Sequence, residues 1–270
     1  MTDRTRPARR FDSLLHVSRT GAWPNGRDDA GVERLLEELD RGGVARGCLV
    51  GLPGVVDNDY VLECAAASRG RLVPVAGVHP PDMPPSQMGE EIRGLASAGF
   101  RGIKLHPRLG RYDPLDSRAL DIMRAAADHG LVVFLDTLFR QRDRPTAAAA
   151  DTIDRIAATC PGVTMVLLHG GGTQLLDVAQ VVRLYANLLL DLSYTLLAFT
   201  GSSVDMDLTW VLKHLDRRVV IGSDMPEFTP AETFNRVDEL MYGLPDVKHA
   251  NVTYENLAML FGPELSPVAS

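Results

Sequence analysis

The chain has 270 residues, of which 45% are hydrophobic and 23% charged, and its formal net charge is -7. This composition excludes disordered, collagen-like and coiled-coil proteins. The acidic balance argues against nucleic acid as a partner, and no apolar run reaches the roughly 20 residues of a membrane span. Three cysteines without CxxC spacing suggest reduced structural thiols. We therefore expect a cytoplasmic protein that binds neither nucleic acid nor membranes.

Eight short apolar runs recur along the chain, about 25 to 35 residues apart. Most are apolar at every position, which is typical of parallel strands buried on both faces. The runs are 11–17, 46–52, 72–78, 102–106, 132–136, 164–169, 188–193 and 219–223. Amphipathic segments of helix length lie between them, for example 32–39, 115–127, 147–158, 174–184 and 204–215.

This alternation of strand and helix predicts an α/β protein with a single-domain (β/α)8 TIM barrel. The barrel is expected over residues 11–262, between a flexible N-terminal segment (1–10) and a C-terminal tail (263–270). A doubly wound open sheet is the alternative. However, no GxGxxG or GxxxxGK[ST] loop follows any of the runs, as such a sheet would require for a nucleotide.

Polar residues end most of the apolar runs. In a TIM barrel the carboxyl ends of the strands meet at the face that carries the active site, so these side chains are expected to converge. Because side chains two apart share a strand face, Leu14 and Asp12 are expected to point the same way as His16. Such a cluster of imidazole and carboxylate groups suits a divalent cation or a general acid and base around a carbonyl. The residues that end the runs are His16, His106, Asp136, His169, Ser193 and Asp224.

Together, six segments make the sequence similar to a known family over nearly its whole length. It resembles the amidohydrolase superfamily, in the amidohydrolase-2 branch that includes aminocarboxymuconate-semialdehyde decarboxylase and related decarboxylases, hydratases and lactonases. The segments are FDSLLH (11–16), GFRGIKLHP (99–107), LLHGGG (167–172), LLLDLS (188–193), VVIGSDMP (219–226) and NLAMLFG (256–262).

Two metal positions of the family are altered in this chain. The family's first strand usually carries two metal-binding histidines, and Leu14 replaces the first of them. Its fifth strand usually ends in a further histidine ligand, where this chain has Asp136. The resemblance implies that His16, Asp136 and Asp224 hold one divalent metal (Zn, Mn or Fe), or else that the family's metal site has been lost.

The resemblance also assigns roles around the predicted site. His169 matches the acid/base of the decarboxylases, and Asp224 matches the aspartate that handles a water proton. Lys104 is the third catalytic candidate, because lysine is rare in this chain and suits the neutralisation of a carboxylate. His106, Arg108, Asp191 and Ser193 are candidates for substrate binding. Further arginines, Arg140 and Arg142, lie in a loop predicted to cover the barrel mouth.

The sequence is compatible with three functions. The first is hydrolysis of an amide, ester or lactone of a small organic acid. The second is non-oxidative decarboxylation, as in the decarboxylases of the same family. The third is a barrel without metal that acts on or binds a biosynthetic intermediate. All three predict a small, anionic substrate, and the family implies a homodimer. Substrate identity depends on the βα loops and does not follow from the fold.

Overall fold

Eight parallel strands form one sheet in chain order in the computed structural model, which describes residues 9–26, 29–139 and 148–262. Backbone hydrogen bonds from Ser13 to Ile221 (2.8 Å) and from His16 to Met225 (2.9 Å) join the first strand to the segment after the last. The sheet is therefore a nearly closed TIM barrel, which confirms the predicted fold. The strands are β1 (Arg10–Leu15), β2 (Val44–Val50), β3 (Leu72–Val78), β4 (Gly102–Leu105), β5 (Val132–Asp136), β6 (Met165–Leu168), β7 (Leu188–Asp191) and β8 (Val219–Val220).

Helices surround the strands. Several start at residues that suit a helix N-terminus: the Asp57 side chain accepts a hydrogen bond from the Tyr60 N–H, and Thr229 forms a capping box with Glu232. The described helices are α1 (Val32–Arg41), α2 (Asn58–Ala67), α3 (Met88–Ala98), α4 (Pro107–Gly110), α5 (Ser117–Asp128), α6 (Ala149–Thr159), α7 (Leu175–Leu184), α8 (Thr195–Ala198), α9 (Val204–His214), α10 (Pro230–Leu240), α11 (Asp246–Ala250) and α12 (Asn256–Phe261).

The apolar side chains fall into two layers. One fills the space between the strands and the helices, and the other fills the barrel interior. At the floor of the interior, Phe261 of α12 stacks on Phe134 with ring centres 6.2 Å apart and also contacts Phe11. The C-terminal helix thus closes the bottom of the barrel. The carboxyl ends of the strands lie at the opposite end, which is where TIM-barrel enzymes carry their active sites.

Strand β1 departs from the expected alternation. Its pairing with β2 shifts register between Asp12 and Leu15, and Phe11 and Leu14, three residues apart, both pack in the interior layer. The Asp12 carboxylate accepts a hydrogen bond from the Ser223 N–H (3.0 Å), so it ties β1 to the segment after β8. Sequence periodicity alone cannot detect such an irregularity, since it assumes a period of two.

The described part of the chain begins just before β1 and ends just after α12. Arg10, assigned to the N-terminal segment from sequence, begins β1, whereas residues 1–8 and 263–270 lie outside the described residues. The three cysteines, Cys48, Cys64 and Cys160, are buried and form no disulfide. Among the described helices, none is long and apolar enough to cross a membrane.

Candidate active site

The predicted site residues occupy the carboxyl ends of the strands or the turns that follow them. Lys104 lies on β4, Asp136 ends β5 and Asp191 ends β7, whereas the other predicted residues lie one to four residues after their strands. All but two are buried, with the Asp224 side chain 13% and the Arg108 side chain 37% exposed. The barrel therefore gathers them at one end. Arg140 and Arg142 lie outside the described residues.

Asp136 is the anionic centre of the site. Its Oδ2 atom lies 3.2 Å from Nε2 of His106, 3.3 Å from Nε2 of His169 and 3.7 Å from the Arg108 guanidinium. Burial alone raises the pKa of a carboxyl group, but His106, His169 and Arg108 together hold the pKa of Asp136 well below its usual range. Asp136 is therefore a buried carboxylate whose Oδ2 atom lies close to three cationic or imidazole nitrogens but accepts no hydrogen bond from the described residues.

The two imidazoles beside Asp136 differ in the direction of their pKa shifts. Burial lowers the pKa of His106 to about 3, so this ring is neutral near pH 7. For His169, burial lowers the pKa, but Asp136 and Asp224 more than compensate and leave it raised. His169 is thus the ring that favours the imidazolium form, between two carboxylates.

A buried polar network fixes the orientation of His169. Its Nδ1 atom lies 3.2 Å from the Ser193 carbonyl oxygen and 3.1 Å from the Ser193 hydroxyl. Asp191 accepts hydrogen bonds from the hydroxyls of Ser13 and Ser193 and from the backbone N–H groups of His169 (3.1 Å) and Ser193 (3.0 Å). Asp191 and Ser193, predicted to bind substrate, therefore position His169 in this structure.

His16 and Lys104 form a separate pair on the other side of the site. The His16 Nδ1 atom lies 2.7 Å from the Val50 carbonyl oxygen, and its Nε2 atom lies 3.3 Å from the Lys104 ammonium. Trp23 stacks on the imidazole with ring centres 5.4 Å apart. Burial and the Lys104 charge hold the pKa of His16 well below its usual range, so the ring is neutral. Burial also lowers the pKa of Lys104, an effect that the carboxylates of Asp224 and Asp136 oppose.

Asp224 faces an open cavity of about 300 Å³. Burial raises the pKa of Asp224 to about 6, although the charges of His169 and Lys104 act in the opposite direction. A carboxyl group with such a pKa exchanges its proton readily near neutral pH. The residues that line the cavity are Arg108, Leu138, His169, Tyr194, Asp224 and Glu227. Of the three predicted catalytic residues, Asp224 and His169 line this cavity, whereas Lys104 lies against His16.

Backbone strain is concentrated at the same place. His169, Tyr194 and Asp224 have φ angles of 65°, 61° and 58°, in the left-handed region that residues other than glycine seldom adopt. Such strain persists where the surrounding structure holds it, and it is frequent at functional sites. After His169, the φ and ψ angles of Gly172 (62° and -117°) suit glycine alone, which accounts for the third glycine of the HGGG segment.

The donors present do not fit a divalent metal. No group of three or more His, Cys, Asp or Glu side chains is arranged to hold an ion in the part of the chain that the structure describes. The predicted ligand His16 lies near Asp224, with Nε2 and Oδ1 3.6 Å apart. The third predicted ligand, Asp136, is instead surrounded by His106, His169 and Arg108.

Tyr194 and Glu227 are two polar residues of the cavity wall that the sequence did not predict. Tyr194 packs its ring edge-on against His169, with ring centres 5.9 Å apart. Glu227 accepts a hydrogen bond from the Trp23 indole (2.9 Å), the same indole that stacks on His16. Both follow predicted strand ends, at Ser193 and Asp224, so the loops after those strands were the available signal.

Comparison with known proteins identifies the family. A family model described as Amidohydrolase (Amidohydro_2) matches residues 12–262. The chain therefore belongs to the amidohydrolase family, in agreement with the resemblance seen in the sequence. A search of the curated proteins finds no match.

Solved structures share the fold at low sequence identity. An uncharacterized TIM-barrel protein from Bordetella bronchiseptica is 18% identical, with a TM-score of 0.78 over 94% of this chain and 98% of the other. The 5-carboxyvanillate decarboxylase LigW from Sphingomonas paucimobilis is 16% identical, with a TM-score of 0.67 over 94% and 99%.

A 5-carboxyvanillate decarboxylase from Novosphingobium aromaticivorans, in complex with manganese and 4-hydroxy-3-methoxy-5-nitrobenzoic acid, is 14% identical, with a TM-score of 0.70 over 93% and 95%. At such identities the comparison shows the barrel fold alone.

Proposed function

We propose that this protein is a carboxy-lyase that removes CO2 from a small unsaturated or aromatic acid without oxidation. The observation that carries the proposal is the cavity lined by Asp224, the Arg108 guanidinium and the His169 ring, where burial raises the pKa of Asp224 to about 6. The decarboxylases among the structural neighbours support this reaction over hydrolysis, which the sequence favoured.

The proposed reaction needs one proton and no oxidant. The bond between the substrate carbon and its carboxylate breaks, and the electron pair stays on the carbon as CO2 leaves. Asp224 gives its proton to that carbon, and water then reprotonates the Asp224 carboxylate. Both ring nitrogens of His169 already face polar partners, Ser193 and Asp136, so Asp224 is the better proton donor.

The cavity wall also suggests the class of substrate. When CO2 leaves, negative charge spreads onto a conjugated ring or oxygen, and Arg108 and His169 are placed to stabilise it. Leu138 and Tyr194 provide an apolar and an aromatic surface for the rest of the molecule. A conjugated or aromatic acid therefore fits this site better than an amide.

Hydrolysis of an ester or lactone is the second candidate. It is favoured by the same Asp224, because the deprotonated carboxylate above pH 6 could act as the general base for a water molecule. The two reactions require opposite protonation states of one residue, so they are separable by experiment.

The test is turnover of a panel of hydroxybenzoate, carboxyvanillate and muconate-type acids in D2O. We expect CO2 release in equal amount to substrate loss, with one deuterium in the product, and loss of both in Asp224→Asn. Asp128→Asn, an exposed aspartate at the end of α5, is the matched control and should behave as the wild type. Lactone or ester opening without CO2 release would instead support the second candidate, and saturable binding without turnover would support neither.

A further inference from the structure

The Lys104 ammonium faces the atom of His16 that would bind a metal. The Nδ1 atom of His16 lies 2.7 Å from the Val50 carbonyl oxygen, which can only accept a hydrogen bond, so Nδ1 carries the proton. The lone pair of the ring is then on Nε2. That atom lies 3.3 Å from Nζ of Lys104, an ammonium that can only donate.

The surroundings of Lys104 match those of a bound cation. Its side chain is buried, with 2% exposure, and the carboxylates of Asp224 and Asp136 both attract its charge. Asp224 lies 3.6 Å from the same Nε2 atom of His16. Leu14, where the family has its other first-strand histidine, is fully buried and offers no donor atom.

A metal ion on His16 would therefore have to displace an ammonium group. It would also meet that positive charge within a buried site, where repulsion between cations is poorly screened. On this chain, Leu14 supplies no ligand atom and the Lys104 ammonium lies against the one His16 atom that could bind a metal.

We propose that the Lys104 ammonium is the resident cation beside His16 in this site and makes the protein independent of metal. Lys104 acts as a positioning residue: it holds His16 and places a fixed positive charge near Asp224. The role of Lys104 in the reaction rests on the proposed function. The absence of metal binding does not, because it is measured without a substrate.

The test compares metal uptake by the wild type, Leu14→His and the double variant Leu14→His/Lys104→Ala. Each protein is incubated with Mn²⁺ or Zn²⁺, desalted and analysed for bound metal. We expect less than about 0.1 equivalent in the wild type and Leu14→His and about one equivalent in the double variant. Leu14→His/Lys213→Ala, which removes an exposed lysine of α9, is the matched control and should bind none.

Two measurements of turnover also test the role of Lys104. Wild-type protein treated with a chelator should keep its full turnover of any acid found in the panel. Lys104→Ala should lose turnover and regain part of it with methylammonium, which supplies the missing charge and which a purely structural role would not explain.

The proposal is overturned by about one equivalent of metal in the wild type, by chelator-sensitive turnover that Mn²⁺ restores, or by a folded double variant that still binds no metal. If the double variant does not fold, the metal content and chelator response of the wild type decide. If no acid in the panel is turned over, the proposed reaction fails, while the metal measurement still tests Lys104.

Discussion

The Oδ2 atom of Asp136 lies 3.3 Å from Nε2 of His169, and this buried pair couples β5 to β6 at the active end of the barrel. Asp136 has a lowered pKa and His169 a raised one, so each favours the charged form of the other. The stability that Asp136 contributes is present above its unfolded pKa and is lost as the pH falls. The stability that His169 contributes is present below its unfolded pKa, and it is lost as the pH rises through the pKa of His169 in the folded protein.

Removal of the Asp136 charge should therefore lower the pKa of His169 and destabilise the fold. In Asp136→Asn, the buried His169 and the nearby Arg108 lose their anionic partner, at a cost of about 3 to 5 kcal/mol in the free energy of unfolding. NMR titration of the histidine rings and urea unfolding measure the two effects. Asp128→Asn should change stability by less than about 0.5 kcal/mol. An unchanged His169 titration in Asp136→Asn would show that the pair is not coupled.

The turn after β6 should be intolerant of a side chain at Gly172. Its φ and ψ angles of 62° and -117° suit glycine alone, so Gly172→Ala should lower the free energy of unfolding by about 1 to 3 kcal/mol. Gly94→Ala provides the contrast, because Gly94 lies within α3 with open space around it and should gain up to about 1 kcal/mol. Urea unfolding of both variants measures the difference. Equal effects at the two positions would contradict the described turn.

Asp12 should make the folded state less stable as the pH rises. Burial raises its pKa to about 7, partly offset by hydrogen bonds from the Leu14 and Ser223 backbone, so the folded protein binds an extra proton between about pH 4 and 7. One extra proton lowers the free energy of unfolding by about 1.4 kcal/mol per pH unit. In Asp12→Asn this contribution should vanish, so its stability curve should be flatter than that of the wild type. If the plots of unfolding free energy against pH were parallel for the wild type and Asp12→Asn, the pKa of Asp12 would not be raised by folding.

The fold and most of the site positions were predictable from the sequence, but their pairing was not. The barrel follows from eight apolar runs with polar ends, and His16, Asp136, His169 and Asp224 all lie at the predicted end. Which of them contact each other depends on register and side-chain direction across different strands. The position of Lys104 against His16 is such a case, because no local pattern relates β4 to the end of β1.

Loop residues were the least predictable. Tyr194 and Glu227 line the cavity although neither lies in a recognisable motif. The orientation of His169 depends on Asp191 and Ser193, which the sequence suggested as substrate ligands. The buried Asp191 carboxylate accepts hydrogen bonds from the backbone N–H groups of His169 and Ser193, so it fixes the backbone at both residues. Only the folded structure reveals these hydrogen bonds.

The pH dependence of kcat/KM for an acid that releases CO2 tests the central claim most directly. Asp224 must be protonated to act as the proton donor, so kcat/KM should fall about tenfold per pH unit above its pKa of about 6. Asp224→Asn should abolish that limb and reduce turnover about 10² to 10⁴-fold. A rate that instead rises with pH through this range, and is lost in Asp224→Asn, would identify Asp224 as a base and contradict the proposed carboxy-lyase.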